Sequence, residues 1–134
     1  MARRLVRDWM HAGVIACRPD APVAEVAETM KRHNVSALVV VDQAGYAVGV
    51  ISLTDLVNAV FVQPYLPHWR GMTARHLMST PVISVRADSS VEAAIELIRE
   101  RKIHRLVVTE AEGDRERPIG ILSVTDLVHN MEHA

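Results

Sequence analysis

The sequence predicts an α+β fold: two β-α-β-β-α repeats whose sheets pack on each other with pseudo-two-fold symmetry. Three observations carry this expectation. First, Gly49-Val50-Ile51-Ser52-Leu53-Thr54-Asp55-Leu56 returns as Gly120-Ile121-Leu122-Ser123-Val124-Thr125-Asp126-Leu127, and self-similarity of this kind marks a repeated architecture. Second, the likeness extends beyond the motif. Arg7-Asp8-Trp9-Met10 matches Arg75-His76-Leu77-Met78, Val14-Ile15 matches Val82-Ile83, Arg18 and Asp20 match Arg86 and Asp88, and Leu38-Val39-Val40 matches Leu106-Val107-Val108. Third, each copy alternates short β-branched runs with a stripe of helical period. The expected boundaries are residues 7–62 for repeat one, 63–74 for a linker and 75–134 for repeat two.

In repeat one, Val14 to Cys17 reads as a short strand. Asp20-Ala21-Pro22 opens a helix, with Pro suited to the first helical position. Val23, Val26, Ala27 and Met30 form its apolar stripe, and Asn34 is the stop. Ala37 to Val41 is a continuous apolar run, as in a strand covered on both faces. Asp42-Gln43-Ala44-Gly45 is turn chemistry, and Tyr46 to Ile51 is the returning strand. A last helix from Ser52 to about Val62 puts Leu53, Leu56, Val57, Val60 and Phe61 on one face.

Between the repeats, Gln63 to Gly71 holds two prolines and a glycine and reads as a linker. Repeat two follows the plan of repeat one. Val82 to Val85 is a strand, Ser89 and Glu92 form a capping box, and Val91, Ala94, Ile95 and Ile98 make the stripe. Leu106 to Thr109 and Ile119 to Leu122 are the central and returning strands. Val124, Leu127, Val128 and Met131 face inward from the last helix. The copies are 68 residues apart at Met10 and Met78 but 71 apart at Asp55 and Asp126. The extra length falls between Glu110 and Pro118, a lengthened hairpin connection of the kind surfaces tolerate. A parallel strand pair joined by a right-handed crossover helix, then an antiparallel hairpin, is expected in each copy.

The chain of 134 residues carries a formal net charge of −1, which gives no general attraction to nucleic acid or to an anionic membrane surface. No apolar run has the length of a membrane span. The basic N-terminus lacks the apolar core of a signal peptide. A single cysteine, Cys17, excludes an internal disulfide and a cysteine-based zinc site, and a cytoplasmic setting is the expectation. His129 and His133 are spaced as two metal ligands on one helix face, but no third ligand accompanies them. Ser52 and Ser123 have no histidine in a base position, so no nucleophilic constellation is present and no enzyme is expected. Lys31-Arg32-His33 and Arg99, Arg101 and Lys102 end helices, where cations suit the dipole.

In each repeated motif the serine reads as a helix N-cap and the aspartate three residues on as a first-turn carboxylate, together a capping box. Structure alone accounts for that pattern. Its recurrence at the same place in both repeats admits a functional reading beside the structural one.

On these residues the chain resembles a tandem pair of CBS domains, a Bateman module. The two Gly-h-h-Ser-x-Thr-Asp-Leu segments (h for hydrophobic) carry most of the resemblance. The strings Val35 to Asp42 and His104 to Val108 add to it and are similar to repeats of the AMP-activated protein kinase gamma subunit. The resemblance implies a non-enzymatic regulatory module with no cofactor. It would bind an adenosine-containing ligand, AMP, ADP or ATP, in a cleft between the repeats. Asp55 and Asp126 would hold ribose hydroxyls, while Ser52, Thr54, Ser123 and Thr125 would offer hydroxyls to ribose or phosphate. It also implies that each motif meets strands of the other repeat. The first site would then set Ser52, Thr54 and Asp55 against Thr80, Pro81, Ile83, Ile103, His104 and Arg105, with Arg105 on phosphate. The second would set Ser123, Thr125 and Asp126 against Ala12, Ile15, Val35, Ser36 and Ala37, with no cation. S-adenosylmethionine or NAD(H) is an alternative ligand, and a ligand-independent interaction module is an alternative function. The resemblance further implies a homodimer, formed through the helices that follow the motif, and a regulated partner protein.

Overall fold

The structure is a computed structural model and describes residues 4–62 and 69–131. Half of the predicted linker, residues 63–68 including His68, lies outside the described residues, as do Glu132 and His133. In chain order the elements are α1 (Val6–Trp9), β1 (His11–Ala12), β2 (Ala16–Cys17), α2 (Val23–His33), β3 (Ala37–Val41), β4 (Ala47–Ser52), α3 (Leu53–Val57), a π-helical turn (Asn58–Val62), a 3-10 turn (Trp69–Gly71), α4 (Ala74–Leu77), β5 (Ser84–Arg86), α5 (Val91–Arg101), β6 (Arg105–Glu112), β7 (Arg115–Ser123) and α6 (Val124–His129). They form two compact units. One is continuous, Ile15–Val82; the other joins Met1–Val14 to Ile83–Ala134. The units therefore do not coincide with the repeats along the chain. Residues 7–14 fold with most of repeat two, and residues 75–82 with most of repeat one.

In the continuous unit the sheet order is β2-β3-β4, parallel between β2 and β3 and antiparallel between β3 and β4. Helix α2 makes the crossover between the parallel strands. It buries Val23, Val26 and Met30, while Ala27, expected on the same stripe, is exposed. A helix lying on one face of a small sheet covers only a narrow strip of its own surface. Pro22 stands at the N-cap, one place earlier than expected, and Asn34 ends the helix in the left-handed conformation at φ 53°. Leu38, Val40 and Ile51 lie with α2 and Leu56 in the core, which Ala74 of α4 completes. The strand expected from Val14 pairs only over Ala16–Cys17.

The helix after the motif departs further from expectation. Regular α-helix stops at Val57, and a π-helical turn follows. Leu56 and Ala59 point inward, whereas Leu53, Val57 and Phe61 are exposed, Phe61 at 74%. Five apolar residues make a stripe too broad for its pattern to show which edge is covered. Val124, Val128 and Met131 are likewise exposed, and only Leu127 of that predicted face packs on the core.

The second unit has the sheet order β1-β7-β6-β5. Strands β5 and β6 are parallel, β6 and β7 antiparallel, and β1 adds to β7 with His11 opposite Ile121 and Ala12 opposite Gly120. Val6, Ala94, Ile98, Leu106, Val108 and Leu122 form its core. The N-cap of α5 is Ser90 rather than Ser89, its hydroxyl accepting from Ala93 N–H at 3.1 Å. The backbone of Ser89 is already engaged, its carbonyl accepting from Val6 N–H at 2.9 Å. The extra residues of repeat two form ladder rather than loose loop. Glu110 pairs with Arg117, Ala111 with Glu116 and Glu112 with Arg115, around a turn in which Gly113 has φ 65°.

Candidate functional site

Strands β4 and β7 end at Ser52 and Ser123, and each runs straight into a helix. Ser52 is extended at φ −109° and ψ 164°, and Ser123 matches it at φ −114° and ψ 164°. Their hydroxyls accept from Asp55 N–H and Asp126 N–H at 3.2 Å in both copies. One carboxylate oxygen returns the bond. Asp55 Oδ2 accepts from Ser52 N–H at 2.7 Å and from its hydroxyl at 3.0 Å. Asp126 Oδ2 accepts from Ser123 N–H at 2.9 Å and from its hydroxyl at 3.0 Å. These are complete capping boxes. Each uses one aspartate oxygen, and neither Asp55 Oδ1 nor Asp126 Oδ1 accepts a hydrogen bond among the described residues. The serine donors are spent in the box. The exposed Thr54 and Thr125 side chains make no hydrogen bond among the described residues.

The glycine that opens each motif is explained by its neighbour. A Cβ on Gly49 would stand 2.5 Å from Met78 Sδ, and one on Gly120 would stand 2.7 Å from the His11 carbonyl oxygen and 2.9 Å from Met10 Sδ. A methionine-bearing segment lies against the bare backbone in both units. The pairing of Met10 with Gly120 and Met78 with Gly49 escaped the sequence reading. The signal was present, since both methionines and both glycines recur, but the alignment assigned each methionine to its own repeat.

In the continuous unit, Leu53 N–H donates to the Ser36 carbonyl at 2.8 Å, and Ala37 faces Ser52 across β3 and β4. Ser79 bridges Val50, with Ser79 N–H donating to the Val50 carbonyl at 2.8 Å. That brings the exposed Thr80 and Pro81, joined by a cis peptide bond, up to the strand that leads to Ser52 and Asp55. Ile15 and Val35 pack against the core of this unit. Of the residues expected around Asp55, this unit therefore contains Thr80 and Pro81. It also brings in Ser36 and Ala37, which were expected with the other aspartate.

The second unit repeats the arrangement. Val124 N–H donates to the His104 carbonyl at 2.9 Å, and Arg105 faces Ser123 across β6 and β7. His104 and Arg105 are thus carried on the hairpin that ends in Asp126. Ala12 is exposed on β1 and faces Gly120 of β7, three residues before Ser123. Ile83 and Ile103 pack on the core of this unit. The residues named for each expected site are thus divided between the two units.

The remaining candidates take structural places. Cys17 is half-buried on β2, and burial, with Glu25 adding to it, pushes its thiol up to about 11. A thiol so raised is protonated at neutral pH and a poor nucleophile. His76 Nδ1 accepts from Thr73 N–H at 2.9 Å and caps α4. Among the described residues no cluster of three metal-ligating side chains exists. Also among these residues, no helix is long and apolar enough to cross a membrane.

A family model for the CBS domain matches residues 6–62 and again residues 74–133. The chain belongs to the CBS-domain family. It is 32% identical over 115 residues to the uncharacterized protein MK0525 of Methanopyrus kandleri, covering 86% of this chain and 56% of that protein. Inosine-5'-monophosphate dehydrogenase of Mycobacterium leprae is 31% identical over 119 residues, 89% of this chain but only 21% of the enzyme. The chain thus spans about half and about a fifth of these relatives. The CBS domain-containing protein YhcV of Bacillus subtilis is 31% identical over 93% of this chain and 84% of its own length. Among solved structures, the CBS domain pair of protein MJ0100 superposes with a TM-score of 0.85 at 23% identity, covering 98% of each chain. The Arabidopsis thaliana protein CBSX2, solved in complex with AMP, gives a TM-score of 0.81 at 28% identity and covers 97% of each chain. The family model matches twice, so the chain carries a tandem pair of CBS domains.

Proposed function

We propose that this CBS pair is a sensor that binds an adenine nucleotide, AMP, ADP or ATP, through Asp55 and Asp126. The observation that carries the reading is the repeated cap in which one carboxylate oxygen is spent on the helix and the other is left over. An ionised carboxylate accepts strongly from the vicinal hydroxyls of ribose. The AMP complex of CBSX2, at 28% identity over nearly the whole chain, supports the choice of ligand. Arg105 supplies a guanidinium suited to phosphate oxygens. A double-mutant cycle of Arg105→Ala with Asp55→Asn, and another with Asp126→Asn, decides which carboxylate shares its ligand with Arg105. Ligand shifts the module between states only by its differential affinity for them.

The complete capping boxes favour one second reading, a ligand-independent interaction module in which both aspartates serve the helices alone. Thermal melts with AMP, ADP, ATP, NADH and S-adenosylmethionine separate the two. A nucleotide at about 100 times its Kd stabilises by about 2.7 kcal/mol. A flat response to all five selects the interaction module. The exposed Leu53, Val57 and Phe61, with Val124, Val128 and Met131, supply apolar surface for the homodimer we infer. A regulated partner protein and a cytoplasmic location complete the proposal, with neither nucleic acid nor membrane as a partner.

A further inference from the structure

Two clefts away from the motif aspartates are copies of one another. One, of about 640 Å³, lies in the continuous unit and is lined by Arg18, Pro19, Asp20, Asp42, Gln43 and Arg75 among others. The other, of about 230 Å³, lies in the second unit and is lined by Arg7, Arg86, Ala87, Asp88, Thr109 and Glu110 among others. Repeat alignment matches Arg18 with Arg86, Asp20 with Asp88 and Arg75 with Arg7. The backbone builds both alike: Arg75 N–H donates to the Pro19 carbonyl at 2.9 Å, and Arg7 N–H to the Ala87 carbonyl at 3.0 Å.

The copies differ in what meets the strand-end arginine. The longer hairpin of the second unit brings Glu116 to Arg86, with its Oε1 3.6 Å from Arg86 Nε and 2.9 Å from the hydroxyl of Thr109. Thr109 is 3% exposed, so one end of this contact is buried. The shorter hairpin of the continuous unit turns at Asp42 to Gly45 and has no counterpart of Glu116. Among the described residues Arg18 forms an ion pair only with its near neighbour Asp20, at 3.4 Å with both side chains exposed. Arg75 makes no ion pair among the described residues. Asp42 Oδ1 accepts from Ala44 N–H and Tyr46 N–H, both at 3.0 Å, so backbone amides already hold that oxygen.

We propose that the cleft of Arg18 and Arg75 is an oxyanion site, taking from outside the chain a carboxylate or phosphate such as the carboxylate that Glu116 supplies to Arg86 in the other unit. Each guanidinium group presents a planar donor fork that matches such groups. This site is separate from the aspartate motifs, so its failure would leave the nucleotide reading untouched.

The test is residue-resolved NMR titration of the full chain with inorganic phosphate, and separately with succinate, at constant ionic strength. Saturable shifts at Asp20, Gln43 and Arg75 are expected with at least one anion, and which anion responds identifies the class. Arg18→Gln with Arg75→Gln weakens binding at least about tenfold, the loss expected for charge-assisted hydrogen bonds. Both side chains are exposed, so the variant keeps its fold, which its spectrum verifies. Glu116→Gln makes Arg7, Arg86 and Asp88 respond to the same anion, whereas in the parent they do not. Absence of saturable shifts with both anions, or shifts that persist in the double arginine variant, overturns the proposal.

Discussion

Asp55→Asn separates the two roles of that carboxylate. In the parent, Oδ2 accepts from Ser52 N–H at 2.7 Å and from its hydroxyl at 3.0 Å. An asparagine carbonyl can take both bonds, so the cap survives and only its charge is lost. The stability change should be about 0.3–1 kcal/mol, the worth of a first-turn carboxylate on the helix dipole. The outward oxygen becomes an NH2, a donor where an acceptor of ribose hydroxyls was needed. Losing a hydrogen bond to a charged group costs about 1.5–3 kcal/mol, or roughly tenfold to a hundredfold in AMP affinity. Unfolding entropy of about 2.1 cal/mol/K per residue gives about 0.28 kcal/mol per kelvin for 134 residues. AMP at about 100 times the parent Kd then raises the parent Tm by roughly 10 °C, and a tenfold weaker variant by about half that. Isothermal titration calorimetry with AMP gives the affinities directly. An Asp55→Asn variant that binds AMP within a factor of about two of the parent, with Asp126→Asn doing the same, would show that neither carboxylate grips the ligand.

Other outcomes follow from single contacts. Gly120→Ala should destabilise more than Gly49→Ala in urea melts. Its Cβ meets a backbone oxygen at 2.7 Å, whereas that of Gly49 meets a flexible methionine, and overpacking costs about 1–3 kcal/mol; equal losses would refute the difference. Cys17, raised from 9.0 to about 11, should be alkylated with an inflection near 11 when folded and near 9 in urea. Because its folded value is the higher, its contribution to stability is present below pH 9 and is lost as pH rises through 11. A folded inflection at 9 would contradict that burial. Phe61→Glu, at a position 74% exposed, should leave the stability within about 0.5 kcal/mol of the parent and dissociate the inferred homodimer in sedimentation; an unchanged sedimentation coefficient would count against this face as the interface.

The sequence made the motif legible because a cap is a local object. Serine, aspartate and the spacing between them suffice to place the hydrogen bonds from Ser52 to Asp55 and from Ser123 to Asp126. The core strands Leu38 to Val40 and Leu106 to Val108 were legible for the same reason, as continuous apolar runs. The placement of Met10 and Met78 was not. It depends on pairing β1 with β7 and Ser79 with Val50, contacts between segments far apart in the chain that no local pattern encodes. The outward turn of Leu53, Val57 and Phe61 was hidden because the apolar stripe is broader than the strip the core covers and the helix loosens into a π-turn at Asn58. Ser90 displaced Ser89 as a cap because α1, from the other end of the sequence, holds the Ser89 carbonyl.

The reciprocal placement of residues 7–14 and 75–82 has a consequence for how such a module can arise. A solitary copy cut at residue 62 would lack the arm that carries Ala74 into its core and Met78 over Gly49. Two solitary copies could satisfy each other only by trading arms, as domain-swapped partners do. Tandem fusion turns that trade between molecules into one within a single chain, where neither partner can be lost by dilution.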